Sequence, residues 1–471
     1  MLDANKTKNF VEQFWNETAI KGLSRFVEIP CKNQAYDADW KKNGHLENAA
    51  NTVAQWIKDQ NLPGTKTELV TLDGKTPLLF VEIPGSPSVD KTILFYAHLD
   101  KMPESEGWIN GREPWKAVLE GDDLYGRGAA DNGSGTFIMM TALKALHEQS
   151  IPYARCVFLL ECSEENGSPG FQDYLNHLKN KIGDPSLIVC LDAGGENYEK
   201  MWCCSSLRGL VNGVLRVEML KESIHSGFGC GVVPTTFRIA RQLLSRVEDE
   251  KTGKILLSEL NAEIPQFWQE QIQKTAEIIG DSIYTGLPFI EGTQPVSKDV
   301  YELLRNQLWG AALSVVGAAG FPALEDAGNV ILPATALQIN FRLPPSIDPQ
   351  KAAEVLAKAF EKDVPYGAKT SFTVKALSKG WAMLNASKWL KDAISGSAIN
   401  YFGNDVIYKG EGGGIGVISM FADAYPKAQI FLSGAIVSSC NAHGPNEFLH
   451  IPLAKKLSCA MAQIIAEHGK Q

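Results

Sequence analysis

Apolar positions along the chain follow two styles, and the change between them divides it. In the first 30 residues Phe10, Val11, Phe14 and Trp15 recur at helical spacing, which predicts a helix packed on something larger. A second amphipathic helix is predicted over 46–60, with Leu46, Ala49, Ala50, Val53, Trp56 and Ile57 on one side. Strands are expected near 67–72 and 78–83, then at 92–97, 156–160 and 187–191, the last three as unbroken apolar runs. A helix over 136–149 turns Phe137, Met140, Leu143 and Leu146 inward. Strands apolar on both faces that alternate with helices imply a mostly parallel sheet, and such sheets bind ligands at the carboxyl ends of their strands. The segment 101–122, rich in Gly, Pro and Trp, is expected to line a cleft.

After about residue 206 the alternation becomes one-sided. A strand at 210–219 is followed by a helix at 235–248, with apolar residues at 237, 239, 240, 243, 244 and 247. Helices are expected near 258–279 and 298–308 in a less regular stretch, then a strand at 335–343, a helix at 350–362 and a strand at 370–376. This pattern predicts a separate α+β domain. From about 383 the first style returns, with helices at 387–398 and 452–467 and a strand at 429–433. The fold class is therefore α/β. A catalytic domain split over 1–206 and 383–471 carries a mixed, mostly parallel sheet flanked by helices, and a second domain, 207–382, is inserted.

At 471 residues the chain exceeds what one hydrophobic core usually supports, in keeping with two domains. Its formal net charge of −9 argues against a nucleic-acid binder and against an anionic membrane surface. No apolar run nears the roughly 20 residues that span a bilayer, and the N-terminus lacks a signal-peptide core. Nine scattered cysteines without a spaced framework point to reduced thiols in a cytoplasm, and no CxxC pair suggests a cysteine-rich zinc site.

The candidate chemistry sits at the ends of the predicted strands. The 92–97 strand delivers His98, with Asp100 two residues on, a spacing suited to an imidazole that ligates through one nitrogen while a carboxylate holds the other N–H. Alone, that tripeptide describes a core histidine beside a surface aspartate. Asp131 stands just ahead of a helix N-terminus, where a carboxylate is favoured. The strand at 156–160 leads to the adjacent Glu164 and Glu165, which repel unless cations or protons compensate. The 187–191 strand leads to Asp192, and His443 lies in a late loop. Two imidazoles and three carboxylates, from His98, Asp131, Glu165, Asp192 and His443, suit zinc, manganese or cobalt and fit calcium poorly. Five ligands exceed the need of one catalytic zinc. Two ions sharing one carboxylate use all five, about 3.5–4 Å apart around a bridging hydroxide. The run Gly410 to Gly416 lacks the spacing of a dinucleotide fingerprint and reads as a loop that lets a ligand approach the backbone.

These residues belong to eight stretches: AHLD (97–100), LYGRGAADNGSG (124–135), ECSEENGS (161–168), LDAGG (191–195), IHSGFGCG (224–231), NFRLPP (340–345), GEGGGIGV (410–417) and AHGPNEF (442–448). In order and spacing the set resembles the dinuclear metallopeptidase family that includes carnosinase, cytosolic non-specific dipeptidase, aminoacylase and succinyl-diaminopimelate desuccinylase, and it is most similar to the carnosinase-like dipeptidases. The resemblance implies a metal-dependent exopeptidase with two divalent ions, zinc foremost, manganese or cobalt otherwise. It implies that Asp131 bridges the ions, with His98 and Asp192 completing one site and Glu165 and His443 the other. Asp100 would orient His98, Glu164 would be the general base, and the Asp131–Asn132 bond would be cis. It further implies that His225 polarises the scissile carbonyl across a dimer interface. Arg342 would hold the substrate's carboxylate and Glu411 a free α-amine, with Asn329, Gly413 and Gly414 also lining the pocket. The inserted domain would be a ferredoxin-like lid, closing on a peptide or amino-acid-derived substrate and mediating a homodimer.

The sequence departs from the family pattern at Ala130 and Asn132 around the bridging residue, at Gly410 and Gly414 in the glycine loop, and at Gly444 after the last histidine. All candidate ligands and the base are retained, so these departures bear on substrate preference. Two rival expectations are an N-acyl-amino-acid deacylase or desuccinylase, and a non-catalytic metal-binding or scaffold protein on the same fold.

Overall fold

The structure, a computed structural model, describes residues 1–383 and 386–471. Ten strands carry its two main sheets: β1 (Lys66–Val70), β2 (Leu78–Ile83), β3 (Thr92–His98), β4 (Arg155–Glu161), β5 (Leu187–Cys190), β6 (Gly209–Glu218), β7 (Ala312–Ala319), β8 (Ala334–Leu343), β9 (Lys369–Ser378) and β10 (Gln429–Leu432). The chain divides into two compact units. One comprises Met1–Ser205, Met383–Lys409 and Met420–Gln471; the other comprises Ser206–Ala382 and Gly410–Ser419. The segment 410–419, expected with the first unit, therefore clusters with the second.

The first unit is built on a six-stranded mixed sheet in the order β1-β2-β4-β3-β5-β10. The pairs β4–β3, β3–β5 and β5–β10 are parallel, and β1–β2 and β2–β4 antiparallel. β3, β4 and β5 are buried along nearly their whole length, which is why they appear as continuous apolar runs. The adjacent parallel strands β4, β3 and β5 bring their carboxyl ends together, so the residues just beyond them share one edge of the sheet. Ser134–Glu148 is buried on nearly every side and packs against Ile451–His468, which also packs on Lys388–Phe402. The N-terminal helical stretch runs from Ala4 to Val27, with a wider turn at Trp15–Ala19. No helix among the described residues is long and apolar enough to cross a membrane.

The second unit is centred on a four-stranded sheet ordered β7-β8-β6-β9 and antiparallel at every pair. Thr236–Leu244 and Pro349–Glu361 pack on it, so strands and helices follow as β-α-β-β-α-β around an insertion. Val211, Leu215 and Val217 from β6 meet Ile239, Leu243, Ile339, Phe341, Leu356 and Phe360 in its core. Gln266–Ile279 and Val300–Trp309 form a smaller cluster around Trp268, Leu304 and Trp309.

Several expected elements change. The helix expected over 258–279 begins at Gln266, because Pro265 cannot continue a helix entered from Leu260 and instead stands at its N-terminal boundary. The helix at 235–248 stops at Leu244. Strands at Trp202–Leu207, Ala312–Ala319 and Ile407–Glu411, and a helix at Gly416–Ala424, had no counterpart in the sequence pattern. The stretch 410–416, read as a loop, is thus the end of a strand and a short turn into a helix.

Candidate metal centre

Four predicted ligands gather at the sheet edge, and a loop brings the fifth. His98 ends β3 and is fully buried. Asp192 follows β5 and bridges Gly434. Glu164 and Glu165 open a single tight turn, Glu164–Asn166, just after β4. Asp131 sits in an irregular turn before Ser134–Glu148, and its peptide bond to Asn132 is cis. His443 lies in the 440–447 loop with a left-handed φ of 65°.

Asp131 faces both histidines. Its Oδ1 is 3.1 Å from His98 Nε2 and its Oδ2 is 3.0 Å from His443 Nε2. Asp192 Oδ1 lies 3.5 Å from His98 Nε2, and Glu165 Oε2 lies 3.0 Å from His443 Nε2. Two groups of donor atoms result: His98, Asp131 and Glu165 form one, and His98, Glu164 and Asp192 the other, each within 4.8 Å. Glu164 therefore leans toward Asp192 while its neighbour leans toward Asp131 and His443.

Asp100 supports the cluster differently from expectation. Its backbone carbonyl, 3.0 Å from His98 Nδ1, makes the closer contact with the imidazole, and its carboxylate is 3.5 Å away. Donation from Nδ1 to that carbonyl leaves Nε2 turned to the Asp131 and Asp192 carboxylates. The carboxylate accepts the backbone N–H of Glu164 at 3.0 Å, that of Glu165 at 3.1 Å, and the buried Asn33 amide at 2.8 Å. One side chain thus ties the β3 end to the turn that carries both glutamates. Asn33 was not legible in the sequence, where it lies in an unpatterned segment 67 residues away from Asp100.

The electrostatics fit cations. Burial and the Asp192 charge push the Glu164 carboxyl well above the usual range. Burial and the Asp131 charge push Glu165 up to about 7. Burial also raises Asp192. Asp131 is held low despite its burial, because both histidines donate to it. His443 is pushed up to about 11 by its bonds to Asp131 and Glu165. For His98, burial disfavours the charged form, but Asp192, Asp100 and Asp131 outweigh it and raise the pKa. Without a cation the carboxylates must take protons or borrow them from the imidazoles. Among the described residues Glu165 Oε1 is buried with no hydrogen-bond partner, a lone carboxylate oxygen that a cation would satisfy. The donor set of imidazole nitrogen and carboxylate oxygen suits zinc, manganese or cobalt.

The remaining predicted residues lie in the second unit. His225 is exposed, pairs with Val330 across a two-residue bridge, and accepts the Gly227 N–H on Nδ1 at 3.0 Å. Asn329 is its neighbour and accepts the Ser226 N–H through its carbonyl. Arg342 lies on β8, partly buried, and its guanidinium has no hydrogen bond or ion pair among the described residues. Glu411 ends the Ile407–Glu411 strand. The glycine loop after it is pinned by Arg208, whose backbone N–H donates to Gly413 O and whose Nε donates to Gly412 O, both at 3.0 Å. A side chain at Gly413 would meet open space, and one at Gly414 would strike the Arg208 carbonyl. Arg208 had escaped the sequence reading.

The chain belongs to the peptidase family M20/M25/M40, whose sequence profile matches residues 94–467. Membership places it among the hydrolases, in the metallopeptidase class. It is 24% identical over 435 residues to the cysteinylglycine-S-conjugate dipeptidase of Corynebacterium striatum, covering 89% of this chain and 90% of that one. It is 24% identical over 386 residues to the β-Ala-His dipeptidase of Rattus norvegicus, covering 79% of this chain and 75% of the other. Its fold is similar to that of the di-peptidase Dug1p of Saccharomyces cerevisiae, with a TM-score of 0.78 over the whole of both chains at 19% identity.

Proposed function

We propose that this chain is a dipeptidase working with two divalent cations, zinc foremost and manganese or cobalt otherwise. The observation that carries the reading is the two-sided placement of Asp131, with one oxygen toward His98 and the other toward His443. In this reading Asp131 is shared. His98 and Asp192 hold one cation, Glu165 and His443 the other, and Asp100 fixes their frame. When bound, the pair would polarise the scissile carbonyl and acidify an attacking water. Glu164 accepts the proton of that water and returns it to the leaving amine. Its place among His98 and Asp192 puts it beside the cation site without spending it as a ligand in this reading.

His225 accepts a hydrogen bond on Nδ1, which puts its proton on Nε2 and makes it a donor to a carbonyl oxygen developing negative charge. Arg342, a planar fork without an anion partner among the described residues, receives the substrate's terminal carboxylate. Glu411 receives the α-amine, and Asn329, Gly413 and Gly414 line the same pocket. The inserted unit, whose strand order suits a ferredoxin-like fold, acts as lid and pairs with a second copy. The exposed Val315 and Val316 on its edge strand β7 support that pairing. Nine free cysteines, eight of them buried, support work in a reducing cytoplasm.

The test is hydrolysis of Cys-Gly, β-Ala-His and their N-acetylated forms by protein stripped with a chelator and then given zinc, manganese or cobalt singly. The expected result is activity lost on stripping and restored by two equivalents, with free dipeptides preferred at least about 100-fold. Faster cleavage of the N-acetylated forms would make the chain a deacylase. Rates indifferent to chelation would refute the metal centre.

A further inference from the structure

Arg127 and Glu447 have no part in the chemistry above, yet they form a fully buried ion pair, Nη1 to Oε2 at 2.8 Å. A buried ion pair contributes little to stability that a well-packed apolar pair could not, so its partners beyond each other are informative. Glu447 Oε1 accepts three backbone N–H groups of one turn, from Gly128 at 3.1 Å, Ala130 at 3.3 Å and Asp131 at 3.2 Å. Arg127 Nη2 donates to the His443 carbonyl at 3.2 Å and to Ser105 Oγ at 3.1 Å, and Nε donates to the Pro103 carbonyl at 3.2 Å. Ser105 Oγ in turn donates to the same His443 carbonyl at 3.2 Å.

The pair thus grips the backbone of two candidate ligands at once, Asp131 by its N–H and His443 by its C=O. Neither ligand rests on a regular element that would hold it otherwise. Asp131 has φ −109° and ψ 101°, outside the helical range, and His443 has φ 65°, a conformation that surrounding contacts must maintain. An apolar pair of the same volume could fill the space but could not bond either backbone group.

We propose that Arg127 and Glu447 are positioning residues of the metal centre, which fix Asp131 and His443 and so set the affinity for the cation held by Asp131, Glu165 and His443. The inference rests on the dinuclear reading given above. Outer partners that orient ligands typically change metal affinity 10–100-fold when altered.

The test uses the full chain, stripped of metal and titrated with zinc against a chromophoric chelator. Parent protein is expected to take up two equivalents; uptake of fewer would overturn the dinuclear reading itself. Glu447→Gln keeps an acceptor for the N–H groups but leaves Arg127 uncompensated. Arg127→Lys keeps the charge but loses the fork that reaches His443. In both, at least one of the two equivalents should lose about 10–100-fold in affinity. The kcat at limiting zinc should fall and recover at excess zinc, a reversal that structural damage would not show. Parental affinity for both equivalents in either folded variant, judged by near-UV circular dichroism, would overturn the proposal. Failure of both variants to fold would assign the pair to the fold instead, and would overturn it equally.

Discussion

Adjacent glutamates with the same chemistry but different surroundings offer the sharpest test of the centre. Glu164→Gln exchanges one oxygen for an NH2 at almost unchanged volume. Its carboxylate clusters with His98 and Asp192, and burial together with Asp192 already disfavours its charge. Neutral glutamine relieves that repulsion, so the metal-free variant should unfold at the parental temperature or above it. Its loss is the proton acceptor, and positioned general bases contribute about 10²–10⁴ in rate, or roughly 2.7–5.5 kcal/mol at 1.36 kcal/mol per tenfold. Glu165→Gln should behave differently. Its Oε2 lies 3.0 Å from His443 Nε2 and its Oε1 is unpartnered, so a cation loses a charged ligand and stoichiometry falls toward one. The assay pairs kcat at saturating zinc with metal content after dialysis. Glu164→Gln should be inactive with two ions bound, and Glu165→Gln inactive with fewer. If Glu164→Gln keeps kcat within threefold while binding both ions, the assignment of the base is wrong.

Further outcomes follow from residues away from the ligands. Arg342→Met should raise KM for dipeptides about 100-fold, with little effect on kcat and little on dipeptide amides; equal effects on acid and amide would remove the carboxylate role. His468 is buried, bonds Ser186 Oγ through Nε2 at 2.8 Å, and is pushed by burial down to about 4. The unfolded chain, titrating near 6.5, binds the proton first, so stability present above pH 6.5 should fall as pH drops toward 4, by at most about 3 kcal/mol. Denaturant unfolding of parent and His468→Phe at pH 7.5 and 4.5 isolates that share, and an unchanged gap between them would exclude it. Lys101 is fully buried, with Nζ donating to the carbonyls of Phe26, Val27 and Ile29. Lys101→Met orphans three acceptors and should cost about 3 kcal/mol in urea unfolding, a reading contradicted by a loss under 1 kcal/mol.

Of the candidate ligands, His98, Glu165 and Asp192 were legible because buried parallel strands announce themselves twice, by continuous apolar runs such as Thr92–Phe95 and by the polar residues that follow each run. Strands without that contrast were not. Ala312–Ala319 lies at a sheet edge and is largely exposed, and its adjacent Val315 and Val316 among Ala, Ser and Gly break the alternation, so neither face is marked. Trp202–Leu207 is wholly buried yet carries Ser205 and Ser206, which dilute the apolar signal. The helix at Gly416–Ala424 follows a glycine run that read as loop. The supporting residues of the site were hidden for another reason: each makes its bond across the chain. Arg127 and Glu447 stand 320 positions apart, and each looks like an ordinary surface charge in its own stretch. Even Asp100, singled out for one task, holds the turn of Glu164 and Glu165 by bonds that no local pattern encodes.

The family profile begins at residue 94, and every proposed ligand lies beyond that point. The amide that Asn33 lends to Asp100, and the carbonyls that Phe26, Val27 and Ile29 offer Lys101, lie before it. A chain trimmed to the matched segment would retain each donor atom and lose the brace behind the β3 terminus. The first forty residues thus buttress the strand end on which the proposed centre is built.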